Sequence, residues 1–276
     1  MRVYVSVDME GVAGVVHPQQ VKRGGEDFDL ARRWMTHEVN AAIDGAMSSG
    51  ASSVVVNEAH GDMRTLLLDE IDDRATVIAG SLKPGSMVAG IDGDFGVAFF
   101  LGYHAGAGTR AGILDHTYYG RVVSAVRVNG VRFDEGAINA AVCGEAGVPL
   151  GLVTGDSRVC ADARERFGEI ETVEVKEPLS RYAARTLTPA RARPLIRDAA
   201  ARAVVRARDG ELRPYRPDSP FQLEIDFVNS GCADAAELVP FSERAGGLTV
   251  TYEAPDATTL LRVVRVLTAM AATTMN

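Results

Sequence analysis

Three strand-like runs in this chain each end in side chains of a kind that binds metal ions. The first run ends in Asp8 and Glu10, the second in His60 and the third in His104. The carboxyl ends of parallel strands meet at one edge of an open α/β sheet, where ligands collect. A step of two residues in an extended chain returns to the same face, so the two carboxylates can point together. Two carboxylates and two imidazoles at one edge suit zinc or a similar divalent ion, which indicates a metal-dependent hydrolase.

Strand and helix patterns alternate along the chain. This order predicts an α/β fold, with a mostly parallel sheet that carries helices on both faces. The turn Asn129-Gly130 after an alternating run predicts a β-hairpin. Further strands are expected over 76–80, 122–128, 149–154, 221–227 and 248–252, and helices over 29–48, 135–146, 158–167, 190–208 and from about 256.

The composition of the chain changes around Pro178, where an Arg/Ala-rich helix and then a proline-rich connector at 214–220 follow. The sequence therefore predicts a metal-binding catalytic α/β domain at 1–185. A smaller C-terminal α+β region at 186–276 is expected to pack on it.

Charge and hydropathy exclude several classes of partner. The 276 residues include 37 acidic and 29 basic side chains, for a net charge of −8, and no basic cluster that would indicate nucleic-acid binding. No apolar run approaches the roughly 18 residues that a membrane helix needs. A secretory signal is not evident, and the three cysteines are widely spaced, so we expect a cytoplasmic protein with free thiols.

Each candidate ligand has an ordinary explanation when taken alone. An acid after a strand often caps a helix, a lone histidine is usually a hydrogen-bonded core or surface group, and Glu135 opens a predicted helix where acids are favoured by the dipole. His116 follows the Gly/Ala-rich stretch 105–112, and its spacing alone does not decide its role. His17 and His37 receive no role. The coincidence at three strand ends is what favours a metal site.

Five motifs, in this order and at these spacings, resemble the zinc-dependent D-aminopeptidases of peptidase family M55, the DppA type, over nearly the whole chain. They are 6–11 (SVDMEG), 56–63 (VNEAHGDM), 82–87 (LKPGSM), 100–105 (FLGYHA) and 129–139. The resemblance implies two Zn²⁺ per subunit, with Mn²⁺ or Co²⁺ as alternatives, and assigns the catalytic histidine to His116. The ligands that it implies are Asp8 as the bridging carboxylate, Glu10, His60, His104 and Glu135.

The same resemblance implies hydrolysis of short peptides from a free N-terminus, with D-amino acids such as D-alanine, by water that two zinc ions activate. It also implies a homo-oligomer, a decamer. Glu58 and Thr65 depart from the residues common in the family, and this leaves the substrate open. A two-metal amidase, a phosphoesterase and a non-catalytic metal- or solute-binding module remain alternatives. A structural zinc site is disfavoured because such sites are usually rich in cysteine.

Overall fold

The computed structural model describes residues 1–275, which form two β-sheets and the helices that cover them. In chain order the strands are β1 (Arg2–Val7), β2 (Ser53–Glu58), β3 (Ala75–Ile78), β4 (Phe95–Tyr103), β5 (Val123–Val128), β6 (Val131–Arg132), β7 (Leu150–Asp156), β8 (Glu171–Ser180), β9 (Ala183–Thr186), β10 (Phe221–Phe227), β11 (Glu243–Arg244) and β12 (Thr249–Ala254). The α-helices are α1 (Pro18–Val21), α2 (Phe28–Ser48), α3 (Glu135–Glu145), α4 (Ser157–Phe167), α5 (Pro189–Arg208), α6 (Ser230–Glu237) and α7 (Ala257–Ala272).

The first sheet is doubly wound, with strand order β3-β2-β1-β4-β7-β8-β9. All of its pairings are parallel except that of β9 with β8. The chain runs outward from β1 through β2 and β3, and then continues on the other side with β4. The strand order therefore reverses between β1 and β4, and this is the position at which doubly wound sheets bind ligands.

Helices cover both faces of this sheet, as the sequence predicts. Val3, Val5 and Val7 of β1 point into an apolar cluster with α2 and α5. Tyr4, on the opposite face, belongs to a second cluster that includes α3, α4 and α7. Alternation along the strand thus buries both faces, and the fold class expected from the sequence is confirmed.

The second sheet is antiparallel, with strand order β11-β12-β10-β5-β6, and α6 and α7 pack on it. Asn129 and Gly130 both have positive φ, which is the conformation of the predicted two-residue hairpin turn between β5 and β6. The two sheets do not separate at residue 185, because β5 and β6 lie in the second sheet whereas α5 packs on the first. The predicted division into domains at that position stays a prediction.

Residues 171–186, which carry no strand prediction, form the hairpin of β8 and β9 at one edge of the first sheet. Charged, polar and small residues make up most of these two strands, and Val173 and Val175 alone give a short alternating apolar pattern, so the segment resembles a polar surface segment. The tip of the hairpin carries Arg181, whose guanidinium contacts Asp115.

The three cysteines Cys143, Cys160 and Cys232 are free and buried. Burial raises the pKa of Cys143 to about 12, so this thiol is unreactive at neutral pH. Every helix in the described part of the chain is too short or too polar to cross a bilayer.

Two glycines allow the ends of β1 and β4 to approach closely at the reversal point. The amide of Gly11 donates to the carbonyl of Gly102 at 2.7 Å. A Cβ on Gly102 would collide with the carbonyl of Asp8 and the side chain of Val12, and a Cβ on Gly11 would collide with the carbonyl of Tyr103. Gly102 also has φ of +64°, which disfavours any other residue.

We predict that Gly102→Ala destabilises the protein more than Gly130→Ala does. Both glycines have positive φ, but a Cβ on Gly130 would meet open space. The left-handed backbone costs about 1–2 kcal/mol in each variant, and the collision adds about 1–3 kcal/mol at Gly102. Denaturant unfolding measures both losses. Equal losses would show that the close approach at Gly102 is not constrained.

Candidate metal centre

The five predicted ligands converge at the carboxyl end of the first sheet. Asp8 and Glu10 follow β1, His60 follows β2, His104 follows β4, and Glu135 is the first residue of α3. All five are buried. The fold therefore brings together residues that are separated by up to 127 positions in the sequence (135 minus 8).

The ligand-type side chains form two groups that Asp8 connects. The first group is Asp8, Glu10 and His60, and the second is His104, His116 and Glu135; within each group the donor atoms lie within 4.8 Å of one another. Oδ1 of Asp8 is 3.2 Å from Nδ1 of His60, and its Oδ2 is 3.4 Å from Nε2 of His104. One carboxylate thus reaches both groups, as a bridging ligand must.

Backbone carbonyls orient the two buried imidazoles. Nε2 of His60 donates to the carbonyl of Val21 at 2.7 Å, and Nδ1 of His104 donates to the carbonyl of Ala105 at 3.0 Å. These bonds assign the ring proton to the outer nitrogen, so Nδ1 of His60 and Nε2 of His104 face the carboxylates. A lone pair against a carboxylate is repulsive, and each inner nitrogen therefore requires a second proton or a cation.

The buried carboxylates favour positive charge on the two imidazoles that lie between them. Burial lowers the pKa of His60, but Glu10 and Asp8 outweigh it and raise that pKa well above its ordinary value. Burial likewise lowers the pKa of His104, and Glu135 and Asp8 raise it further than burial lowers it. Burial raises the pKa of Asp8, but His104 and His60 hold it well below its usual range.

Nε2 of His104 lies between two carboxylates, in a position suited to a metal ligand. It is buried, lies 3.4 Å from Asp8 and 3.6 Å from Glu135, and has no hydrogen-bond partner among the described residues. A buried nitrogen near two carboxylate oxygens and without a hydrogen-bond partner is suited to bind a metal ion. The donor set of carboxylate oxygens and imidazole nitrogens fits zinc and similar divalent ions.

His116 lies against the second group and is more exposed than the other site histidines. Its ring stacks on that of His104 with centroids 4.1 Å apart, and its Nε2 is 3.8 Å from Oε1 of Glu135. Nδ1 of His116 donates to the carbonyl of Leu114 at 2.9 Å, which leaves Nε2 unprotonated in the neutral ring. This nitrogen can therefore accept a proton.

The β8–β9 hairpin supports the loop that carries His116. The guanidinium of Arg181 donates to the carboxylate of Asp115 at 2.6 Å and to its carbonyl at 2.8 Å. The amide of Leu114 donates to the carbonyl of Arg181 at 3.0 Å. A hairpin that the sequence does not reveal thus holds the residues immediately before the predicted catalytic histidine.

Lys176 and Glu38 fix the loop after Glu10, and sequence reasoning misses both. The buried ammonium of Lys176, on β8, donates to three carbonyls between Glu10 and Val15 at 2.5–2.9 Å. The carboxylate of Glu38, on α2, accepts from the amide of Ala13 at 2.9 Å. Burial lowers the pKa of Lys176 to about 8 and raises that of Glu38 to about 7. No sequence signal separates such a lysine from a solvated one on an edge strand.

The two residues that depart from the family pattern, Glu58 and Thr65, contact each other. The carboxylate of Glu58 accepts a hydrogen bond from the amide of Thr65, and both residues are buried. His17 caps α1, and His37 contacts Glu70 on the surface. Neither histidine is among the grouped ligand-type side chains.

A cavity of about 340 Å³ opens beside the metal ligands. One part of its wall is formed by Asp8, Glu10, His60, His116 and Glu135. The loop residues Met63, Ser86, Met87, Tyr118 and Tyr119 form another part, and α7 contributes Arg265, Thr268, Ala269 and Ala272. The site thus combines the strand ends of the first sheet with a helix that packs on the second.

The fold and the site together define an α/β protein with a candidate histidine–carboxylate metal centre at the reversal point of a doubly wound sheet. Known proteins resemble this chain in sequence and in fold. The model of peptidase family M55, described as D-aminopeptidase, matches residues 1–266. A D-aminopeptidase of Bacillus subtilis (strain 168) is 35% identical over 275 residues, which cover 98% of each chain.

A solved structure, that of the Zn-dependent D-aminopeptidase DppA from Bacillus subtilis, a self-compartmentalizing protease, superposes with a TM-score of 0.95. The alignment has 35% identity and covers 100% of both chains. The protein described here belongs to peptidase family M55, the D-aminopeptidase family. The family predicted from the sequence motifs is confirmed.

We predict that affinity for Zn²⁺ rises with pH between pH 6 and 8. In the metal-free protein the pKa values of His60 and His104 are raised, so protons compete with the ion until the pH exceeds those values. Each proton displaced contributes about a tenfold gain per pH unit. Competition against a chromophoric chelator measures the affinity, with His37→Ala as the control. A flat profile would show that these imidazoles do not bind the ion.

Proposed function

We propose that this protein is a zinc-dependent aminopeptidase that removes D-amino acids, D-alanine foremost, from the free N-terminus of short peptides. The observation that carries the proposal is the pair of ligand groups connected by Asp8. Membership of family M55 and the zinc dependence stated for the solved relative support it.

Two zinc ions per subunit fit the arrangement, and manganese or cobalt would fit the same donors. Asp8, Glu10 and His60 would hold one ion, and Asp8, His104 and Glu135 would hold the other. When bound, the ions supply Lewis-acid activation of water and of the scissile carbonyl. The carbonyls of Val21 and Ala105 keep the inner ring nitrogens available for this role.

His116 would move protons during the reaction. Its Nε2 lies at the cavity, 3.8 Å from the Glu135 carboxylate, and the bond from Nδ1 to Leu114 leaves this nitrogen free to accept a proton from water. The same nitrogen would then donate the proton to the departing amine. The Arg181 contacts to Asp115 hold the loop that positions the ring.

The size of the cavity favours short substrates. At about 340 Å³ it lies at the lower end of the range of about 300–1,000 Å³ for small-molecule sites.

We also propose a homo-oligomer, a decamer by resemblance, because the solved relative is a self-compartmentalizing protease. A cytoplasmic location is supported by the free thiols.

Turnover of D-Ala-D-Ala and L-Ala-L-Ala, on zinc-loaded and on chelator-treated protein, tests the proposal. We expect zinc-dependent cleavage of the D-peptide only. Cleavage of both peptides, or of the L-peptide alone, would support a metal-dependent peptidase but contradict the proposed preference for D-amino acids. Cleavage of neither by protein with bound zinc would favour the amidase, phosphoesterase or binding-module alternatives.

Substitutions separate the bridging ligand from the catalytic histidine. We expect Asp8→Ala to lose both zinc ions, because its two oxygens serve both groups. His116→Ala should retain zinc and lose about 10²–10⁴ in kcat, the usual contribution of a proton-transfer group. Elemental analysis and turnover measure these effects, with His37→Ala as the control. Zinc retained in Asp8→Ala, or unchanged turnover in His116→Ala, would contradict the corresponding assignment.

A further inference from the structure

Arg265, on α7, lines the same cavity as the metal ligands and is the one arginine or lysine among its lining residues in the described part of the chain. It is half-buried. Its guanidinium forms neither a salt bridge nor a hydrogen bond with any residue that the structure describes, whereas Arg127, Arg181 and Arg244 are each paired with a carboxylate. A half-buried guanidinium without an anion is costly, and its five donors are available to a ligand.

Thr268 adds a second unpaired donor to this wall. It lies three residues after Arg265, so both side chains project from the same side of α7. Its hydroxyl is buried and has no hydrogen-bond partner among the residues described. Helical threonines commonly bond to the carbonyl four residues earlier, and the absence of that bond here leaves the hydroxyl for another acceptor.

A second cation, Lys83, lies near Arg265. Burial lowers the pKa of Lys83 to about 8, the charge of Glu58 opposes this shift, and the charge of Arg265 adds to it. The ammonium of Lys83 is bound by the carbonyls of Glu58 and Ile78, and no carboxylate forms a salt bridge with it in the described structure. The cavity therefore has carboxylates and imidazoles on one side and an unpaired cation on α7.

We propose that Arg265 and Thr268 bind the free α-carboxylate of a dipeptide whose N-terminal residue lies at the metal ligands. The guanidinium offers two parallel donors to a carboxylate, which is the strongest geometry for this pairing. The small cavity sets the distance between the two ends of the substrate, so the enzyme selects dipeptides with a free carboxyl group over their amides. This inference rests on the proposed aminopeptidase function.

The test compares D-Ala-D-Ala with its C-terminal amide in the zinc-loaded wild-type protein, in Arg265→Met and in Arg262→Met. Arg262 is an exposed arginine on the same helix, which makes it a matched control. We expect the wild-type kcat/KM to favour the free acid by about 10–100-fold, the usual effect of a charged hydrogen bond. Arg265→Met should reduce this ratio to about 1, mainly through KM for the acid, and Arg262→Met should preserve it.

Binding provides a readout that does not depend on turnover. Calorimetry with the reduced dipeptide, in which CH₂–NH replaces the peptide bond, gives Kd for the free acid and for the amide. We expect Arg265→Met to weaken the acid by about 10–100-fold and to leave the amide unchanged. Thr268→Val should weaken the acid by a smaller factor.

The outcomes separate the two proposals. If Arg265→Met weakens the free acid and the amide equally, Arg265 only balances the charge of the cavity. An unchanged acid-to-amide ratio of kcat/KM in this variant would also overturn the carboxylate site. So would a failure of the wild-type protein to bind the reduced dipeptide. If the wild-type protein cleaves neither D-peptide but binds the reduced acid through Arg265, the carboxylate site stands and the proposed activity fails. If the wild-type protein cleaves D-Ala-D-Ala and its C-terminal amide equally well, the proposed activity stands and the carboxylate site fails.

Discussion

The burial of three carboxylates at one sheet edge is the constraint on which the rest of this structure depends. Asp8, Glu10 and Glu135 lie within contact distance of two histidines and are almost fully removed from solvent. Burying anions together is unfavourable unless cations accompany them. The two histidines satisfy this requirement only in part. Backbone carbonyls accept the protons of their outer nitrogens, and the inner nitrogens face the carboxylates. A divalent ion satisfies both the carboxylate oxygens and the imidazole nitrogens.

The surrounding framework holds these charges in place. Close packing of Gly11 on Gly102 brings the ends of β1 and β4 together, and Lys176 binds the loop that follows Glu10 through three carbonyls. On the other side, Asp134 caps α3 by accepting from the amide of Ala137 and so fixes the helix that begins with Glu135. None of these groups lies between the ligands, yet each limits where a ligand can be.

The cavity unites parts of the chain that belong to different sheets. Its acidic and imidazole groups come from the first sheet and α3, whereas α7 packs on the second sheet and contributes Arg265 and Thr268. The second sheet therefore does more than enlarge the core, because it places a helix opposite the strand ends. A substrate with an amine at one end and a carboxylate at the other matches this distribution of charge.

The sequence by itself determined the α/β class, the hairpin at Asn129-Gly130 and the four strand-end residues that converge, since hydrophobic periodicity and turn chemistry are local and strand ends share one edge. The fifth residue, Glu135, was assigned by the resemblance to the family. Only the tertiary structure decided that Asp8 reaches both histidines, that β5 and β6 join the C-terminal strands, and that the β8–β9 hairpin supports the loop of His116. It also decided that Lys176 is buried and Arg265 unpaired, although both sit in segments with ordinary surface patterns. These features depend on contacts between distant segments, and no local pattern in the chain encodes which segments meet.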